Sequence, residues 1–100
     1  MDFKELKQEK FSFIYITIKD CNVCKELKPK LLELAASYAG SSFHNIFLDD
    51  HKDAAGFFMA FAVPTFLVFS EGRELLRSAR HLDMEEIKNK LDRYYEMLLE

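Results

Sequence analysis

The chain has no tryptophan, two cysteines, two prolines and three glycines in 100 residues. So little glycine and proline excludes a collagen-like or low-complexity chain. With 49% hydrophobic residues, it points instead to one ordered domain, residues 1–100, with short connections between regular elements. Neither charge sign dominates: 14 Lys and Arg against 17 Asp and Glu leave a formal charge of -3, and five basic residues never occur in a row. Nucleic acid is therefore not an expected partner. Long apolar runs are also missing. Phe11 to Ile18 is too short for a bilayer, and Phe57 to Phe69 is interrupted by Pro64 and Thr65. The opening Met1-Asp2-Phe3-Lys4-Glu5 is acidic and precedes no small-residue cleavage site, so no secretory signal is expected and the cytoplasm is the expected location. Two cysteines are too few for a disulfide scaffold. His44, His51 and His81 stand at no finger-like spacing from them, so a monomeric structural zinc site is not expected.

What is present is strong patterning. Residues 2–10 suit a short amphipathic helix. Phe11-Ser12-Phe13-Ile14-Tyr15-Ile16-Thr17-Ile18 then reads as a buried strand. Val23, Leu27, Leu31, Leu34, Ala35 and Tyr38 recur at helical spacing up to Gly40, with Pro29 inside predicting a kink near residues 25–29. Phe43 to Leu48 predicts a second strand, Asp49-Asp50 a cap, and His51 to Phe61 a helix. Thr65 to Phe69 and Glu74 to Ala79 predict a hairpin across Ser70-Glu71-Gly72-Arg73. Asp83 then caps a last helix with an apolar stripe from Met84 to Leu98. Right-handed crossovers give an α/β sandwich: a mixed four-stranded sheet in the order second, first, third, fourth, with helices on both faces.

The chemistry concentrates at Cys21-Asn22-Val23-Cys24. The spacing alone also serves metal sites and buried pairs, but here it falls between a strand and the opening of a helix. Unpaired N–H groups and the positive dipole end converge there, and a thiolate is favoured by roughly 0.3–2 kcal/mol. Lys19 and Lys25 are expected to assist that effect and Asp20 to oppose it. The polar neighbours Asp20, Asn22 and Lys25 argue against two cysteines packed only as small hydrophobes. On a redox reading, Cys21 attacks a disulfide and Cys24, one turn on, resolves the mixed disulfide. An iron–sulfur cluster shared between two chains is the metal-based alternative.

Four features in order resemble the thioredoxin family: Cys21-x-x-Cys24-Lys25 after a hydrophobic strand, Pro29 five residues beyond, Val63-Pro64-Thr65 opening a strand, and Ser70-Glu71-Gly72-Arg73 at a turn. The resemblance covers residues 11–98 and implies a thioredoxin-like fold and a thiol–disulfide oxidoreductase. The redox-active disulfide Cys21-Cys24 would be its only cofactor. It implies a cis Val63–Pro64 bond, with Asn22, Val23, Val63 and Pro64 meeting the substrate. Its implied partners are protein or small-molecule disulfides, and a thioredoxin reductase or low-molecular-weight thiol that recharges the pair. A non-catalytic binding module using the surface around Cys21, Val23, Val63 and Pro64 is the rival function.

Departures from the family pattern fall on named residues. Asp20 replaces a tryptophan, and Asn22-Val23 replaces Gly-Pro. A buried carboxylate gives way to Tyr15 and its lysine partner to Asn45, while the glycine before the last helix falls near Arg80. Losing the carboxylate removes the usual proton acceptor for Cys24, so Tyr15 or a water performs that transfer or resolution is slow; Tyr15 itself is expected as a core aromatic whose hydroxyl reaches the surface rather than as a catalytic group. The family's first strand is absent, so residues 43–48 are expected to form a bare edge, covered by residues 2–10 or by a second subunit.

Overall fold

Apolar patterning translates into eight elements among the described residues, which are 1–99 of this computed structural model; Glu100 lies outside them. They are α1 (Phe3–Gln8), β1 (Ser12–Thr17), α2 (Asn22–Ala36), β2 (Ser42–Phe47), α3 (Asp53–Phe58), β3 (Thr65–Ser70), β4 (Arg73–Ala79) and α4 (Met84–Leu99). The strands form one sheet in the order β2-β1-β3-β4. β1 runs parallel to β2 and antiparallel to β3, and β3 pairs antiparallel with β4.

Every residue of β1 and β3 is buried, as central strands covered on both faces require. Their side chains alternate between two cores. Phe13, Tyr15, Phe66 and Val68 pack with Leu31 and Leu34 of α2 and Ile87 and Leu91 of α4. Ile14, Ile16, Leu67 and Phe69 pack with Phe3 of α1 and Ala54 and Phe58 of α3. Each such side chain contributes about 1.5–3 kcal/mol on leaving water, which is why β-branched and aromatic runs set the central strands.

The β3–β4 connection uses Glu71 and Gly72 at φ 50° and 87°, the two left-handed residues of a type I′ hairpin turn. A register shift follows between Val68 and Phe69. Backbone bonds tie this turn to the end of α1, from Glu71 N–H to the Glu9 carbonyl and from Gly72 N–H to the Lys7 carbonyl, at 2.9 and 2.7 Å.

Four boundaries and placements differ from expectation. First, α1 lies on the sheet face rather than along the β2 edge, because Phe3 finds burial against His51, Phe57 and Phe58 there. Glu9, just beyond α1, reaches β2: it accepts from Ser42 Oγ at 3.0 Å and lies 2.6 Å from His44 Nε2. Second, α2 continues through Pro29 but stops at Ala36, with Gly40 at φ 86° beyond it. Third, α3 ends at Phe58 rather than Phe61. Met59 takes φ 52°, and the bonds Met59 N–H to Gly56 and Ala60 N–H to Ala55 close a Schellman motif over the buried Ala60. Fourth, Asp49 and Asp50 do not cap α3, whose N-cap Lys52 makes no side-chain cap bond. Both carboxylates turn instead to Lys19.

Candidate functional site

The register decides what meets at the end of the sheet. Ile16 pairs with Thr65, and Thr65 with Ala79, so the segments after β1, before β3 and after β4 emerge at one end. These segments hold Cys21, Val63-Pro64 and Arg80.

Cys21 is the N-cap of α2, with extended backbone at φ -142° and ψ 100°. Its Sγ accepts from the Cys24 N–H at 3.2 Å, standing where a capping serine or aspartate oxygen stands in other helices. An N–H and a helix dipole aimed at sulfur favour negative charge on it once the pair is reduced. Cys21 and Cys24 are joined as a disulfide, their Cα atoms 5.3 Å apart. The two sulfurs occupy different environments. Cys21 is half-buried, whereas Cys24 is 2% exposed within the core formed by α2 and α4.

Around the pair, Asn22, Val23, Lys25 and Pro29 are exposed on α2. Asp20 is exposed in the preceding loop. That loop is braced from β2's end: Lys19 N–H donates to Asp49 Oδ1 at 2.9 Å, and Lys19 Nζ pairs with Asp50 at 3.1 Å. The Lys19 charge is therefore matched by Asp50, which removes much of the help it was expected to give a thiolate. The bracing aspartates were not legible as such, because a residue pair thirty positions apart leaves no local signal.

Tyr15 is fully buried, and its hydroxyl donates to the Cys24 carbonyl at 2.9 Å. The expected surface-reaching hydroxyl is thus corrected: the first turn of α2, through the Cys24 carbonyl, supplies an internal acceptor. Burial pushes the phenol up to about 12. Asn45 stands directly opposite Tyr15 in the β1–β2 register, and its Nδ2 donates to the Tyr15 carbonyl and to Thr17 Oγ1, both at 3.0 Å. The two positions where the sequence departs from a carboxylate–lysine pair are therefore cross-strand neighbours, joined by a neutral hydrogen bond.

Pro64 is buried and Val63 half-buried, with a cis peptide bond between them. The Pro64 carbonyl accepts from the Arg80 N–H at 2.9 Å. On the far side of the 59–64 segment, Arg77 donates to the carbonyls of Phe58 and Met59 at 2.6 and 2.8 Å while its guanidinium pairs with Glu74. Neither arginine was marked in the sequence as a site residue; Arg80 was visible only as a departure from glycine. Of the histidines, His81 adjoins this site next to Arg80, and the other two lie elsewhere. His44 lies against Glu9, His51 against Phe3, and His81 in the loop before α4.

Comparison with known proteins agrees with this geometry. The family model described as Thioredoxin matches residues 2–93. Thioredoxin-like protein YdfQ of Bacillus subtilis is 39% identical over 92 residues, 92% of this chain and 82% of that protein. The H-type thioredoxin of Fagopyrum esculentum is 32% identical over 68 residues, 68% of this chain and 59% of that protein. Among solved structures, thioredoxin 1 from Thermosipho africanus superposes with a TM-score of 0.81 at 25% identity, covering 89% of this chain and 99% of that one.

Proposed function

The chain belongs to the thioredoxin family, and from that premise we propose that it is a thiol–disulfide oxidoreductase in which Cys21 is the nucleophile and Cys24 the resolving thiol. One observation carries the assignment of roles: the accessible sulfur sits at a helix N-terminus accepting an N–H, and its partner is buried one turn on. The Cys21 thiolate attacks one sulfur of a substrate disulfide, and that S–S bond breaks as a mixed disulfide forms. The departing sulfur leaves as a thiolate and takes a proton from solvent. Cys24 then loses its proton and attacks the Cys21 sulfur, which releases the second substrate thiol and closes the Cys21–Cys24 disulfide. Two electrons pass to the substrate.

Asn22, Val23, Val63 and Pro64 supply the surface on which the substrate rests. Tyr15 is a poor acceptor for the Cys24 proton, since its phenol is held protonated at neutral pH and its own proton already serves the Cys24 carbonyl. Water takes that part. The pair is recharged by a thioredoxin reductase or a low-molecular-weight thiol in a reducing, cytoplasmic setting, and no other cofactor takes part.

Reduction of a model protein disulfide by the wild type, Cys21→Ser and Cys24→Ser, with trapping of mixed disulfides, tests the roles. Cys24→Ser is expected to accumulate adducts at Cys21, and Cys21→Ser to be inert. Equal, near-zero reduction by all three proteins, with no adduct, would overturn the proposal in favour of a binding module.

A further inference from the structure

Among the described residues, three that are not glycine hold left-handed backbone: Met59, Glu71 and Arg80, at φ 52°, 50° and 68°. The first closes a helix and the second makes a hairpin turn, so local geometry accounts for both. Arg80 is held by its N–H bond to the Pro64 carbonyl, beside the dithiol. Glycine would take this conformation without steric cost, whereas a side chain here is strained. The Arg80 side chain recovers nothing within the fold: it is exposed, and none of the ion pairs among the described residues includes it.

Next to Arg80, a shallow cleft of about 300 Å³ is lined by Val23, Leu27, Arg80, His81, Leu82 and Asp83. Val23 lies two residues after Cys21, in the first turn of α2, which puts the cleft within one helical turn of the dithiol along the chain. Its one acid, Asp83, is occupied as the cap of α4, accepting from the N–H groups of Glu85 and Glu86 at 3.1 and 3.2 Å. The cleft therefore offers an apolar floor and one uncommitted guanidinium, in a chain of net charge -3 that otherwise repels acidic partners.

We propose that Arg80 sets substrate choice, selecting protein segments that carry a carboxylate side chain close to the cystine, with a neighbouring apolar residue resting on Val23, Leu27 and Leu82. This rests on the disulfide-exchange reading above.

Two disulfide-bonded peptides, identical except for Asp or Asn beside the cystine, test it. The wild type is expected to reduce the Asp peptide with kcat/KM about fivefold higher than the Asn peptide, the scale of one exposed ion pair, and the ratio should shrink as salt rises. Arg80→Gly, which suits the backbone, should bring the ratio to about one, and Arg80→Lys should keep most of it. A wild-type ratio of one, or an undiminished ratio in Arg80→Gly, overturns the assignment of Arg80 and leaves the exchange reading standing. Failure to reduce either peptide overturns both.

Discussion

Replacing Tyr15 by phenylalanine should reverse the order of stability between mutant and parent as pH rises. At pH 7 the substitution removes the bond from the Tyr15 hydroxyl to the Cys24 carbonyl, 2.9 Å long and buried. That carbonyl keeps its place inside α2, so the loss is one net hydrogen bond, about 1 kcal/mol. At alkaline pH the phenol works against the native state. Its pKa is raised from 10.0 to about 12, so between those values the unfolded chain gives up a proton that the folded chain retains. A group with a raised folded pKa contributes stability that is fully present below the unfolded pKa and is lost above it. The linkage relation gives a loss of about 1.4 kcal/mol by pH 11 and about 2.3 kcal/mol by pH 12. Phenylalanine has no such loss, so the two stabilities should cross a little below pH 11. Urea unfolding of both proteins in the disulfide form, at pH 7, 10 and 11, measures the difference directly; the other titrating groups are common to both. A constant difference across that range would refute the claim that the hydroxyl is buried and donating. The same variant should keep its rate of disulfide reduction within about twofold at pH 7, since a phenol held protonated takes no part in the transfer.

Two further perturbations probe the frame. Gly72→Ala would force a side chain onto a φ of 87° and bring its Cβ within 2.8 Å of Gln8 Nε2, so a cost of about 1 kcal/mol and a melting temperature lower by about 4–8 °C are expected. An unchanged melting curve would show that the turn tolerates a Cβ. Asp92 accepts from the Tyr38 hydroxyl at 2.6 Å and pairs with Lys88, and these hold its carboxyl below the usual 3.8. Its contribution is therefore present above that value and lost as pH falls through the lowered one. Asp92→Asn should be less stable than the parent at neutral pH and should converge with it in acid, as followed by thermal melts from pH 7 to 2.

Much of the fold was legible because its drivers are local. The run Phe13-Ile14-Tyr15-Ile16 needs burial on both faces, and that made β1 a central strand. The helical spacing of Leu27, Leu31 and Leu34 likewise marked α2. Helix ends were less legible. Met59 stops α3 by entering a conformation that its residue type does not advertise, and the glycine present, Gly56, sits inside the helix rather than at its end. Asp49-Asp50 looked like a cap because capping residues and bracing residues are the same types. At the site, the pair Cys21 and Cys24 and the Val63-Pro64 step were readable as motifs. The Tyr15 hydroxyl, the Asp50 partner of Lys19 and the strained backbone of Arg80 arise from contacts across the sheet, which one-dimensional patterning does not encode.

The meeting of three loops at one end of the sheet separates two kinds of change available to this chain. Asp20, Asn22 and Val23 are exposed there, outside both cores, where a new side chain typically alters stability by less than about 0.5 kcal/mol. Tyr15 and Asn45 face each other at one register position, and each side chain holds a hydrogen bond to the main chain, Asn45 to the Tyr15 carbonyl and Tyr15 to the Cys24 carbonyl. The outer set is thus free to vary at little cost, whereas each change at the inner pair gives up about one hydrogen bond. A protein organised this way can acquire a new clientele in single steps while its interior stays fixed.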